Sequence, residues 1–369
     1  MINPKHSRET HKNMKIPFNR RALLRFAGIS AICSHVNSSQ AVEKSTYSNN
    51  LKPMRVARPI LNDFPHYVEP IRCETRFESP ALIQDPDGDL HVRAWRWSYN
   101  ARGIIEIPNQ LLANRTAVIV VHPWGIDDGQ GWRTPEPAGV AFQCTPQKNR
   151  LVLQHARDVI NPLLKRLRGK ARLIAYSLPG LEDSTRDKIY RSWNSQPTVA
   201  TRAEGMKELR DKLNSFEYKG DSIPKTIQID PERPVESYFK SFPGLDASAK
   251  YDHAGFWELP VPVMSSIDVA ISDLAIYDGD GYSILRDHLK QMGIRHILLA
   301  GYNTDMCVCK TTAGYENLQK DFNVFLVGDA TIATFPGQDS PRHATNASVS
   351  FAALNLLITQ CSWIESKTR

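Results

Sequence analysis

The residues best suited to chemistry lie in one run, His296-Ile297-Leu298-Leu299-Ala300-Gly301-Tyr302-Asn303-Thr304-Asp305-Met306-Cys307-Val308-Cys309-Lys310-Thr311-Thr312. An apolar strand pattern leads into Gly301, a short loop follows, and Thr304 or Asp305 is placed to cap a helix spanning Met306 to Gln319. Cys307 then falls in the first helical turn, where unpaired amides favour negative charge and make a thiol more readily a thiolate. The same amides can hold an oxyanion. Together these are the requirements of a cysteine nucleophile. Cys309 lies about 200° further round such a helix, so the two thiols cannot face one target. Cys307 is therefore read as nucleophile and Cys309 as packing. The pair also permits a thiol redox protein, which that geometry disfavours.

A nucleophile of this kind needs a sheet beneath it. Apolar runs at Ala117 to Val121, Leu173 to Tyr176, Ile267 to Ile271, His296 to Ala300 and Asn323 to Val327 read as buried strands. Helical spacing at Asn149 to Arg168, Ser283 to Gln291, Met306 to Gln319 and Thr345 to Thr359 alternates with them, with a kink or break expected at Pro162. Alternation with short connections calls for an α/β fold, a doubly wound parallel sheet flanked by helices on both faces. Ligands in such sheets gather beyond the carboxyl ends of the strands, where Cys307 falls. His91 to Tyr99 alternates in character after the turn Asp85-Pro86-Asp87-Gly88-Asp89, which lacks the spacing of a calcium loop. The expected organisation is a leader over 1–41, a linker and accessory β segment over 42–112, and an α/β domain over 113–369 interrupted by an insertion at 178–265. That insertion carries a helix near Ala203 to Phe216 and the aromatics Tyr190, Trp193, Tyr238, Phe239 and Trp257, and reads equally as a lid or as a structural flap.

The composition of the 369 residues, 41% hydrophobic and 23% charged, is that of a packed protein. The formal charge of +7 looks suggestive of nucleic acid until it is located. Lys5, Arg8, Lys12, Lys15, Arg20, Arg21 and Arg25 stand against Glu9 alone in the first 41 residues, leaving the body close to neutral. A nucleic-acid binder needs that surplus on its folded surface, so none is expected as partner. The leader runs from a basic stretch through Phe26 to Cys33 to Ser39-Gln40-Ala41, the layout of a secretory signal. Arg20-Arg21 followed by Leu23-Leu24 resembles a twin-arginine export signal, and a periplasmic location is the expectation, with a cytoplasmic protein carrying a basic tail as the alternative. Nothing further along reaches the ~20 apolar residues of a membrane span, so no stable membrane insertion is expected. Cys73, Cys144, Cys307, Cys309 and Cys361, odd in number and widely spaced, form a poor disulfide framework.

Gly301, Thr304, Asp305, Cys307, Val308 and Thr311, after an apolar strand, resemble the nucleophile motif of the isochorismatase-like cysteine hydrolases. Leu285, Leu289, Gly293 and Ile294 resemble the helix and turn before that motif, and Val327-Gly328-Asp329-Ala330 the strand end after it. The resemblance is strong over 265–335 and extends more weakly back to residue 116. It implies a doubly wound parallel sheet, a small-molecule substrate, self-association as a homo-oligomer, and a covalent adduct on the cysteine. It further implies an oxyanion hole from the amides of Asn303 and Cys307, with a cis peptide between Tyr302 and Asn303.

The family uses an Asp at the end of the first strand and a Lys from a central strand. Here Val121-His122-Pro123-Trp124 places His122 at the Asp position, with Asp127 and Asp128 one loop beyond, and Ile271-Ser272-Asp273 stands near the expected Lys. One reading makes His122 the general base for Cys307, oriented by Asp127 or Asp273, because imidazole titrates near neutrality. Trp124, Trp132 and Tyr302 would then shape the substrate pocket. The reaction would be hydrolysis of a small amide, carbamoyl or related bond. The other reading is a non-catalytic binding protein on the same scaffold. Members of the family that hold a metal carry an Asp-x-His cluster after the second strand, whereas Ser177-Leu178-Pro179-Gly180 stands here, so no metal is expected. His253, His288, His296 and His343 lack ligand spacing. Neither a Gly-x-Ser-x-Gly elbow nor a phosphate-binding glycine loop occurs, and no cofactor is expected. Asp278-Gly279-Asp280-Gly281 reads as a turn before the helix at Ser283.

Overall fold

In the computed structural model, which describes residues 48–55, 59–72, 75–125, 146–215, 228–233, 259–333 and 360–366, the accessory segment and the α/β core share one ten-stranded sheet. The strands in chain order are β1 (Lys52–Pro53), β2 (Arg76–Glu78), β3 (Leu90–Ser98), β4 (Gly103–Leu111), β5 (Thr116–Val121), β6 (Leu173–Leu178), β7 (Leu274–Tyr277), β8 (His296–Tyr302), β9 (Asn323–Ile332) and β10 (Gln360–Ser366). Their order across the sheet is β1-β2-β4-β3-β10-β9-β8-β5-β6-β7. From β10 through β9, β8, β5 and β6 to β7 every neighbour is parallel, as the apolar runs imply. The β3–β4 hairpin joins through β10, which is antiparallel to β3. The accessory segment is thus an extension of the same sheet. The leader, residues 1–41, lies outside the described residues.

The helices are α1 (Pro146–His155), α2 (Asn161–Leu167), α3 (Ser184–Ile189), α4 (Val199–Asn214), α5 (Tyr282–Gln291), α6 (Cys307–Lys310) and α7 (Tyr315–Leu318). They divide between the two faces of the sheet. Val118 and Val120 of β5 pack with Val152 of α1, Leu164 of α2, and Leu209 and Leu213 of α4. Ala117, Ile119 and Val121 pack with Leu285 and Leu289 of α5, Val308 of α6 and Leu318 of α7. This is the period of two expected of a strand covered on both sides. The break expected at Pro162 appears as a π turn over Ala156–Ile160. Proline has no N–H to give residue 158 and its ring crowds that carbonyl, so the helix widens just before it.

Two expected elements differ. The run Ile267 to Ile271 is a chain of bends, tied by bonds from Ile267 N to the Met264 carbonyl and from Val269 N to the Ile267 carbonyl; the strand begins at Leu274. The helix expected over Met306 to Gln319 is two single turns, α6 and α7. Between them Gly314 packs so closely that a Cβ would lie 2.6 Å from the Thr311 nitrogen. The expected helix over Thr345 to Thr359 lies outside the described residues. The insertion contains α3 and α4: Asp183 accepts from the amides of Thr185 and Arg186 to cap α3, and Thr198 caps α4. Tyr238, Phe239 and Trp257 lie outside the described residues. No helix among the described residues is long and apolar enough to cross a membrane.

Candidate active site

At the carboxyl edge of the sheet, β8 reaches the loop before Cys307 through Gly301. That glycine has a φ of 109°, and a Cβ there would stand 2.2 Å from the Val121 carbonyl oxygen, so β8 and β5 can close only over a glycine. The next peptide, Tyr302–Asn303, is cis. The loop then folds on itself, with the amides of Met306 and Val308 both donating to the Asn303 carbonyl at 3.0 and 3.1 Å. Neither Thr304 nor Asp305 caps the following turn. The Thr304 hydroxyl pairs with that of Thr331 at 2.6 Å, and Met306 holds the N-cap position with no side-chain cap. Since α6 is one turn long, little macrodipole can build up, and the polarisation at Cys307 falls to the loop amides and to neighbouring side chains.

One neighbour is His122. It follows the last residue of β5 with a φ of 44°, a left-handed turn that carries the chain back over the end of β6. Its backbone N–H donates to the Ser177 carbonyl at 2.9 Å. Its Nε2 meets Oδ2 of Asp278 at 2.7 Å, and Cys307 is near enough to influence the charge of the ring. Burial alone would lower the imidazole pKa. The bond to Asp278 and the nearness of Cys307 overcome that and raise it to about 9. Asp278, the first residue past β7, is held on its other oxygen by the Ser177 hydroxyl at 3.3 Å and on its carbonyl by the Thr312 hydroxyl at 2.9 Å. A thiol, an imidazole and a carboxylate therefore stand in series across the ends of β8, β5 and β7.

Residues 278–354 match the family model for the isochorismatase domain, a stretch that runs from Asp278 through Cys307. Over that stretch the chain resembles the isochorismatase domain. No curated protein matches the chain. Among solved structures it is similar to an isochorismatase family protein from Desulfovibrio vulgaris subsp. vulgaris str. Hildenborough, at 13% identity over 67% of this chain and 93% of that one, TM-score 0.31. A cysteine hydrolase from Pseudomonas syringae pv. phaseolicola 1448A aligns at 16% identity over 71% and 90%, TM-score 0.33. A nicotinamidase from Bacillus subtilis aligns at 14% over 67% and 98%, TM-score 0.30.

The structure rearranges several residues singled out by sequence. Asp273 is at the amino end of β7, about 13 Å of strand from the carboxyl edge, and does not approach the thiol or the imidazole. Its carboxylate is held by Arg168 at 2.7 Å, by the Tyr176 hydroxyl at 2.9 Å and by the Ala270 amide at 2.9 Å. The carboxylate beside His122 is that of Asp278. Asp273→Asn should accordingly leave Cys307 reactivity within about twofold of wild type and cost about 1–3 kcal/mol in thermal or denaturant unfolding, as Arg168 loses its charged partner.

Tyr302 is wholly buried, its ring packed edge-on against His155. Nε2 of His155 faces the Asp329 carbonyl at 2.8 Å, an atom that can only accept, so Nε2 carries the proton and the Tyr302 hydroxyl donates to Nδ1 at 2.8 Å. Burial keeps that imidazole neutral, with its pKa lowered to about 4. Trp124 is also buried, bridged through its backbone to Val263, and belongs to the core rather than to a pocket wall. Asp127 and Trp132 lie outside the described residues. Cys309 is buried, with its thiol donating to the Thr304 carbonyl at 2.9 Å and its pKa pushed up to about 11 by that burial. Among the described residues no group of three His, Cys, Asp or Glu is arranged to hold a metal.

The acid that sequence reasoning missed is Asp278. Its signal was available: Leu274-Ala275-Ile276-Tyr277 is a short apolar strand, and Asp278 is the first residue beyond its carboxyl end.

Proposed function

We propose that the protein is a cysteine hydrolase acting on a small amide, carbamoyl or related bond, with Cys307 as nucleophile, His122 as its proton-transfer partner and Asp278 as the group orienting His122. The observation that carries this reading is His122, bonded to Asp278 at 2.7 Å and with Cys307 near enough to influence its charge. The order thiol, imidazole, carboxylate recurs on unrelated folds for acyl transfer and is defined by geometry rather than by sequence position.

In the proposed reaction the sulfur, as thiolate, attacks the carbonyl carbon. The new tetrahedral oxyanion is met by the amides of Asn303 and Cys307. A protonated His122 donates from both ring nitrogens, one of them to Asp278, and gives up a proton to the departing nitrogen as the C–N bond breaks. A thioester and a free amine result. The neutral imidazole then takes a proton from water, hydroxide adds to the thioester, and the carboxylic acid leaves as the thiol is restored.

The test is selective alkylation. Cys307 should react with iodoacetamide near neutral pH at least about tenfold faster than Cys309, followed by peptide mass mapping, because only Cys307 has an imidazole beside it and Cys309 is sealed. Equal, slow labelling of the two would support the binding-protein alternative.

A further inference from the structure

The strand β6 reads Leu173-Ile174-Ala175-Tyr176-Ser177-Leu178, and Ser177 is wholly buried within it. A buried hydroxyl requires a partner, and its place in the register explains which one it has. Ser177 is paired with Val121 of β5 on one side and with Ile276 of β7 on the other. It lies midway between the strands whose ends bear His122 and Asp278. Those strands are not neighbours; with β6 between them their ends are separated by two strand spacings, roughly 10 Å. Imidazole and carboxylate can meet only by bridging over β6. Ser177 serves both sides of that bridge, accepting the His122 N–H on its carbonyl and donating its hydroxyl to Oδ1 of Asp278. Thr312 fixes the backbone of Asp278 but leaves its carboxylate free to rotate, so the direction in which Oδ2 points falls to Ser177.

We propose that Ser177 is a positioning residue of this site, its hydroxyl fixing the Asp278 carboxylate so that Oδ2 faces His122 and the imidazole stays directed at Cys307. The inference rests on the reading of Cys307, His122 and Asp278 as a working set. Ser177 does not contact the sulfur, and its effect should appear in the rate and its pH dependence.

The experiment measures alkylation of Cys307 in the full chain between about pH 6 and pH 10. The proteins compared are the wild type, Ser177→Ala, Ser177→Thr and Ser177→Val, with His122→Asn as reference. Ser177→Ala should slow Cys307 alkylation at neutral pH by about fivefold to tenfold, the worth of one hydrogen bond to a charged group, and move the alkaline inflection downward. Threonine and valine have nearly the same shape, suit a strand, and differ in the hydroxyl, so they decide the matter even if the alanine variant fails to fold. Ser177→Thr should alkylate several times faster than Ser177→Val. Equal rates for those two, or a Ser177→Ala rate and profile within about twofold of wild type, would overturn the proposal. If His122→Asn leaves alkylation unchanged, the proposed function itself fails; if it slows alkylation while the threonine and valine variants agree, only the role of Ser177 is lost.

Discussion

Replacing Cys307 with alanine should reduce hydrolysis of any amide or carbamoyl substrate to background, a loss of at least about a thousandfold, and should remove the covalent adduct from the intact mass. The size of the effect follows from how little can stand in for the sulfur. Cys309 is two residues away in sequence, but it is sealed in the core and its proton is held against the Thr304 carbonyl. The loop amides survive the substitution and can still polarise a carbonyl, which accounts for any residual rate. Persistent turnover in a well-folded Cys307→Ala protein would mean that the reaction does not pass through this residue.

His122→Asn should lower turnover by about a hundredfold to ten-thousandfold, the usual worth of a general acid–base group. It should also slow Cys307 alkylation at neutral pH, since the cation beside the sulfur is gone. The wild-type rate should fall as pH rises through about 9, where the imidazole loses the proton meant for the leaving group, and that alkaline limb should vanish in the variant. Stability carries the same signature. With its folded pKa raised above the unfolded value of about 6.5, His122 contributes fully below that pH and loses its contribution as pH rises through about 9. The melting-temperature advantage of wild type over His122→Asn should therefore shrink between pH 6 and pH 10. An advantage that stays constant would mean the imidazole is not held protonated by Asp278 and Cys307.

The architecture was legible because β5, β6 and β8 announce themselves as uninterrupted apolar runs, and a strand covered on both faces has little alternative. Cys307 was legible because it follows such a run by a few residues. Asp278 was passed over for a local reason. Ile267, Val269 and Ile271 alternate as a strand would, yet Ala270 N bonds to the Asp273 carboxylate and curls that stretch into bends. The true strand, β7, has four residues and then Asp-Gly-Asp-Gly, whose turn character masks the position of Asp278 at a strand end. Trp124 and Tyr302 looked like pocket walls because aromatics near a nucleophile often are. Their burial depends on contacts with Val263 and His155, far away in sequence, and no local pattern encodes that.

The way the sheet ends bears on how copies of this chain could meet. Among the described residues one outer strand, β1, has two residues, and the other, β7, has four and is already engaged by Arg191, whose carbonyl accepts the Ala275 N–H at 2.7 Å. Margins so short and occupied offer a second molecule almost no ladder on which to add a strand. Among the described residues these two edges can contribute little to a dimer, and the helices and loops are the larger surfaces left for one.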